Sequence, residues 1–487
     1  MKAHGILIRG KWIKSSSGET QESINPTTEK PLGLFQRGTA HDVDLAVDAA
    51  EKALPAWRDL PAPRRGEILL RIANLLRKNK ERLARLMTME MGKVISEARG
   101  DVQEAIDITE YMAGEGRRLF GHTTPSELRD KFCMTMRMPL GVCGLITPWN
   151  FPIAIPSWKL MPALICGNTV VFKPASDTPL CAIEFVKLME STGLPRGVVN
   201  LVTGPGSSVG TALVKHRDIR GISFTGSRDV GEFISREAGL KKVGLELGGK
   251  NGIIVMDDAN LELALDGVIW GAFGTTGQRC TAASRVIVHK KIKPKFEKML
   301  VSRIGKLRLG DGLKPYTDVG PLINRTAQRK VHYYTGVGLS EGARLLCGGS
   351  PVKGRGFFYR PTLFTDVTPN MHIAQEEIFG PSLSLIEVQN LDQAIDAMNS
   401  ITYGLSSAIY TNNVSRAMEA VERIESGLVY VNSSTIGSEV HLPFGGVKAT
   451  GHGREAGIEG LNEFSETKTV YIDYSGRLQK AQIDVIK

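Results

Sequence analysis

VVNLVTGPGSSVG, residues 198–210, passes from apolar, β-branched residues through a glycine-rich turn into a helical pattern beginning near Ser208. Valine and leucine at that density suit a strand buried on both faces, and glycine supplies the tight turn after it. The same succession recurs at GISFTGSRDVG (221–231). Upstream lie GVCGLITP (141–148) and TVVFKPA (169–175), and downstream GIIVMDD (252–258). Their spacing is roughly 25–30 residues, with helical segments between. Strands that alternate with helices predict a parallel sheet. A second series follows residue 280, at RVIVHK (285–290), SSAIYTN (406–412) and LVYVNSS (428–434). The expected fold class is α/β, with two lobes of unequal size and no internal repeat.

Ahead of these strands the texture is helical. Thr39 and Asp42 read as an N-cap and its acidic third position, and Val43, Val47, Ala50 and Leu54 then recur at helical spacing. A second helix is expected from about Pro63 to Gly92 and a third around 95–118. CMTMRMPL (133–140) and TKTVYIDYS (467–475) alternate like exposed strands outside both lobes. Edges of that kind are often covered by a second subunit, so a homodimer or homotetramer built on the strands near 130–140 and 466–474 is expected.

Composition narrows the class. The chain has 487 residues, 42% hydrophobic and 23% charged, which suits a globular protein of more than one domain. Six cysteines, at 133, 143, 166, 181, 280 and 347, follow no disulfide-framework spacing. A reducing compartment such as the cytoplasm is therefore expected. The apolar patch within MKAHGILIRGKW is too short for a signal peptide. The uncharged stretch 138–158 carries Pro139, Pro148, Pro152 and Pro156, which rules out a continuous spanning helix there. A net charge of +10 raises nucleic acid or an anionic membrane as partners. However, the basic residues are scattered, and the densest cluster, RKNKER (77–82), falls in the second expected helix as a solvated face. Neither partner is expected.

Three features carry chemistry. TGPGSSVG (203–210) and FTGSRDVG (224–231) place glycines between a strand and a helix, where backbone amides and the helix dipole favour a phosphate. Neither matches the G-x-G-x-x-G fingerprint, and turn chemistry alone also accounts for each. LELGGKN (245–251) puts Glu246 at an apolar strand end, as a buried base or a water-facing edge residue. TTGQRCTAASR (275–285) sets Cys280 among small polar residues beside Arg279, a setting that favours thiolate; a half-buried structural thiol is the alternative. The nine histidines form no metal pattern, and no metal is expected.

PWNFP (148–152), KPAS (173–176), FTGS (224–227), LELGGK (245–250), GQRC (277–280), EEIFGP (376–381) and PFGGVKATGHGRE (443–455) occur in one order. Together they resemble the aldehyde dehydrogenase superfamily across nearly the whole chain. The resemblance implies two Rossmann-like domains and a small oligomerisation hairpin. It assigns 1–120 and 141–248 to cofactor binding and 249–449 to catalysis. Residues 121–140 and 465–487 become oligomerisation strands and a C-terminal tail. The implied reaction is NAD(P)-dependent oxidation of an aldehyde to the carboxylic acid. Cys280 is then the nucleophile, Asn150 with the Cys280 N–H stabilises the oxyanion, and Glu246 activates the thiol or the hydrolytic water. Lys173 and Glu377 hold the cofactor riboses, Ser227 meets the pyrophosphate in the turn of Thr225 and Gly226, and Phe379 packs near the nicotinamide ribose. Gly206 and Gly210 belong to the same cofactor site. Glu455 corresponds to an acidic residue implicated in proton relay.

By the same resemblance Phe151, Ile155, Trp158, Thr281, Ser438 and Phe444 surround the substrate. Arg279 either attracts an acidic substrate or braces its turn. His441 and His452 are read as loop-packing residues. The pattern is most similar to prokaryotic semialdehyde dehydrogenases, such as those acting on 2-oxoglutarate semialdehyde. Ser176 stands where NAD-specific members often carry Glu, so NADP is expected to be accepted and preferred over NAD. A coenzyme A-acylating relative and a non-catalytic protein on this scaffold are the competing functions. Glu246→Gln is expected to slow the steady state and preserve a burst of reduced cofactor.

Overall fold

The structure is a computed structural model that describes residues 2–483. An eight-stranded sheet runs in the order Gly451–His452, Lys242–Glu246, Ile219–Thr225, Val142–Ile146, Thr169–Lys173, Val199–Leu201, Ile6–Ile8, Lys11–Ile13. Its five central strands are parallel, and the two edges are closed by antiparallel additions. A seven-stranded sheet runs Arg344–Cys347, Thr362–Thr365, Ser382–Val388, Ala283–His289, Asn251–Val255, Ser406–Tyr410, Leu428–Val431. All but its first pair are parallel.

The α/β class and the two lobes agree with the sequence reading, with one correction. GIIVMDD does not continue the first series: Asn251–Val255 lies in the second sheet, between Ala283–His289 and Ser406–Tyr410. Lys242–Glu246 takes the neighbouring place beside Ile219–Thr225 in the first sheet. The chain therefore leaves one sheet at Glu246 and enters the other at Asn251, through Leu247, Gly248, Gly249 and Lys250. Periodicity could not reveal this crossing, because consecutive buried strands look alike whichever sheet receives them.

Local signals were accurate. Thr39 and Asp42 form a reciprocal capping box at the start of the helix Ala40–Asp59. The helix Ala62–Met91 stops at Gly92, whose φ of 96° is left-handed; glycine takes that conformation without penalty. Ile95–Glu115 packs beside it. RKNKER lies on its solvent side, where Arg77 pairs with Glu110 and Arg82 with Glu184. The proline-rich 138–158 stretch becomes the strand Val142–Ile146, a turn, and the start of the helix Ala154–Ile165. The helix expected near Ser208 opens instead as a wide π-type turn, Gly206–Gly210, running into Thr211–Lys215. Among the described residues no helix is long and apolar enough to cross a membrane.

The stray strands form a separate antiparallel sheet outside both lobes. Ser465–Asp473 pairs along its whole length with Lys131–Pro139, which also pairs with Thr123–Pro125. The two long strands thus pair with each other within one chain, leaving the outer edge of Ser465–Asp473 unpaired in its sheet. Of the tail 475–487, residues 484–487 lie outside the described residues.

Candidate active site

Cys280 follows a strained turn. Thr275 and Thr276 sit at φ of 51° and 60°, a left-handed conformation costing on the order of 1–3 kcal/mol for each non-glycine residue. The buried Glu97 carboxylate offsets that cost by accepting the Thr275 N–H at 2.9 Å and its hydroxyl at 2.9 Å. Hydrogen bonds to a charged acceptor contribute roughly 1.5–3 kcal/mol each. Asn251, the first residue of its strand, donates to the Cys280 carbonyl at 2.6 Å. The nucleophile loop is therefore gripped from both sides.

The electropositive setting read for Cys280 is not what the structure contains. Arg279 turns away, donating from Nε to Thr275 Oγ1 at 2.8 Å and facing the rings of Phe151 and Trp270 at 5.1 and 4.9 Å. Burial pushes the Cys280 thiol up to about 12, and the neighbouring Glu246 and Glu377 carboxyls add to the rise. A thiol so placed is protonated at neutral pH and needs a base.

Glu246 ends the strand Lys242–Glu246, and its Oε2 is buried without a hydrogen-bond partner. A Cβ at Gly445 would stand 2.7 Å from its Oε1, so glycine there makes room for the carboxyl. Burial, then the Glu455 charge, hold Glu246 well above the usual carboxylate range, with Lys159 opposing. Lys159, itself fully buried, forms an ion pair with Glu455 and donates to Ser223 Oγ. Asn150 Nδ2 donates one hydrogen to the Gln278 carbonyl at 3.0 Å. An amide nitrogen has a second hydrogen to offer.

Three cavities meet around these groups. The first, about 130 Å³, brings together Cys280, Glu246, Glu455 and every predicted substrate residue: Phe151, Ile155, Trp158, Arg279, Thr281, Ser438 and Phe444. Trp158 and Phe444 meet edge to face at 5.0 Å on its wall. The second, about 310 Å³, is lined by Cys280, Asn150, Glu377, Phe379 and the turn Thr225–Ser227. The third, about 600 Å³, shares that turn and adds Lys173, Gly206 and Gly210. Lys173 and Glu377 thus stand in separate cavities joined through Thr225, Gly226 and Ser227.

The larger cavities fit a dinucleotide. Thr147 Oγ1 and Thr225 Oγ1 are buried without partners, and Ser227 N-caps Arg228–Glu237 with its hydroxyl uncommitted. A Cβ at Gly206 would meet no protein atom, so packing does not demand glycine there. Burial brings the Lys173 ammonium down to about 8. Glu377 accepts the Gly249 N–H at 2.8 Å, and a Cβ at Gly248 would stand 2.5 Å from its Oε2. Phe379 sits at φ of 60° and meets Trp149 edge to face at 5.5 Å. Ser176 lies beside the wall rather than in it: Ala175 lines the cavity, and the Ser176 hydroxyl donates to the Gly204 carbonyl at 3.1 Å.

Sequence reasoning missed the segment Ile323–Lys330, which lines the second cavity. Its one signal was Asn324, which caps the helix Arg325–Ser340. Glu104, on the substrate cavity wall, gave no signal. His441 and His452 do not pack their loops; both are exposed. Among the described residues no three His, Cys, Asp or Glu side chains converge as a metal site.

Residues 12–470 match the family described as the aldehyde dehydrogenase family. An alpha-ketoglutaric semialdehyde dehydrogenase of Bacillus subtilis is 43% identical over 474 residues, covering 96% of this chain and 97% of the relative. A Staphylococcus aureus betaine aldehyde dehydrogenase solved with NAD+ superposes with a TM-score of 0.96 at 34% identity, over 98% and 96% of the two chains. An E. coli enzyme described as NADP dependent superposes at 0.95 and 38% identity, over 97% and 98%. The chain belongs to the aldehyde dehydrogenase family. It is an NAD(P)-dependent aldehyde dehydrogenase, which removes the non-catalytic alternative.

Proposed function

With that membership as premise, we propose that this enzyme oxidises a semialdehyde of the 2-oxoglutarate semialdehyde type, using Cys280, Glu246 and Asn150. One observation supports this most: Cys280 lies on the wall shared by the cavity holding Glu246 and the cavity holding Glu377 and Phe379. The Cys280 thiol gives its proton to Glu246, and Sγ adds to the carbonyl carbon to form a thiohemiacetal. Asn150 Nδ2 and the Cys280 N–H donate to the oxyanion as it forms. A nicotinamide dinucleotide bound alongside supplies the hydride acceptor. Once Glu246 has released the thiol proton to solvent, the thioester on Cys280 is hydrolysed by water that Glu246 deprotonates. The buried Lys159–Glu455 pair stands ready to receive that proton. Lys173, Gly206, Gly210 and the Thr225–Ser227 turn hold the dinucleotide on the first lobe, while the second lobe carries the nucleophile.

The substrate class rests on the Bacillus subtilis relative and on a cavity that joins aromatic walls to Ser438 and Arg279. NADP is accepted because neutral Ser176 does not repel a 2′-phosphate, and Lys173 is near enough in sequence to answer it as a point charge. Cofactor reduction with 2-oxoglutarate semialdehyde tests both claims. Turnover is expected with NADP and without coenzyme A. Ser176→Glu is expected to raise the KM for NADP about tenfold and spare that for NAD. No activity with NADP in the wild type would refute the reading of Ser176, and dependence on coenzyme A would favour the acylating alternative.

The free edge of Ser465–Asp473, with Tyr471 and Ile472 exposed, supports a homodimer or homotetramer. Light scattering at micromolar concentration is expected to give a multiple of the chain mass; a monomer contradicts the assembly. A cytoplasmic setting is consistent with the six unpaired cysteines, and fractionation of the native cell checks it.

A further inference from the structure

The substrate cavity contains a carboxyl group that the reaction does not use. Glu104 projects from the helix Ile95–Glu115 into the cavity that Cys280 and Arg279 line from the opposite element. It is half-buried, and among the described residues it has no hydrogen-bond partner. The charged groups around it are committed elsewhere. Lys93 pairs with Asp101 at 2.9 Å and lies over the Phe151 ring, and Glu97 is occupied by Thr275. Asp101 also accepts the Ala154 N–H. Arg279 spends Nε on Thr275 and directs Nη2 towards Glu97 at 3.8 Å, and among the described residues Nη1 makes no hydrogen bond.

We propose that Glu104 is a specificity-determining residue: its carboxyl and the Arg279 guanidinium together receive the anionic end of a carboxylate-bearing aldehyde. The inference rests on the substrate class proposed above and adds a residue and a pH dependence to it. Two carboxyl groups bind each other only when one carries the proton. Here burial, then the Asp101 charge, raise Glu104 to about 8, with Asp107 adding to the rise and Arg279 and Lys93 opposing it. At neutral pH the Glu104 O–H therefore donates to the substrate carboxylate. Such a bond to a charged acceptor is among the stronger kinds. As the pH rises through 8, Glu104 ionises, the donor is lost and a like charge replaces it. The substrate carboxylate stays ionised throughout. The other titratable groups facing this cavity, Glu246, Glu455 and Cys280, serve every aldehyde alike, so a ratio of two substrates cancels them.

The test is kcat/KM for 2-oxoglutarate semialdehyde divided by that for pentanal, measured from pH 6.5 to 9.5 in wild type and Glu104→Gln. The wild-type ratio is expected to exceed one at pH 7 and to fall about tenfold by pH 9.5. In Glu104→Gln, which keeps a donor but cannot ionise, the ratio is expected to stay level across that range. A wild-type ratio above one that does not fall, or an equal fall in Glu104→Gln, overturns the role of Glu104 and leaves the substrate class standing. A wild-type ratio at or below one at pH 7 overturns the substrate class, and the role of Glu104 with it.

Discussion

Cys280→Ala is expected to lower turnover by at least about 10⁴-fold while leaving cofactor affinity within about twofold of wild type. The substitution removes one sulfur from the wall between two cavities and touches neither Lys173 nor the Thr225–Ser227 turn. Its loop keeps its hold, because Glu97 grips Thr275 through backbone and hydroxyl, and Asn251 grips the residue 280 carbonyl. Turnover by coupled absorbance and cofactor affinity by fluorescence titration separate the two effects. Persistent turnover would refute covalent catalysis through Cys280. Parallel loss of affinity would instead mean that the loop had collapsed.

The strands, the capping box at Thr39 and the stop at Gly92 were legible because each depends on neighbours in the chain. The residues that the resemblance nominates for substrate and cofactor, Ser176 apart, line three adjoining cavities. What stayed illegible depends on long-range approach. Strand periodicity alone did not show that Asn251–Val255 enters the second sheet, since Gly248 and Gly249 mark a turn without naming its destination; only the family resemblance divided the chain there. The state of Cys280 was misread because Arg279, adjacent in sequence, turns its charge towards Glu97 and two aromatic rings. Sequence proximity placed a cation beside the sulfur; folding brought the charges of Glu246, Glu377 and Glu455 to bear on it. Glu104 is silent in the chain for the same reason, because the cavity it lines is walled by other elements.

The raised thiol changes what Glu246→Gln should do. Had Cys280 sat in an electropositive loop, a standing thiolate would have given a normal burst of reduced cofactor and only hydrolysis would have slowed. With the thiol at about 12, little thiolate exists at neutral pH and the proton needs a receiver. Glu246 is suited to that task, since burial and Glu455 hold it well above the usual carboxylate range and raise its affinity for the proton. Burst and steady state are both expected to slow by roughly 10²–10⁴-fold at pH 7.5, the usual worth of a positioned base. The sign with pH then discriminates. In Glu246→Gln, solvent alone deprotonates the thiol, so the burst rate should climb about tenfold per pH unit below the thiol pKa. In the wild type the rise should flatten once Glu246 has ionised. Stopped-flow measurement of the burst from pH 6.5 to 9.5 reads both slopes. A full burst in Glu246→Gln at pH 7.5 would mean that Cys280 reaches its thiolate without this carboxyl, confining Glu246 to hydrolysis.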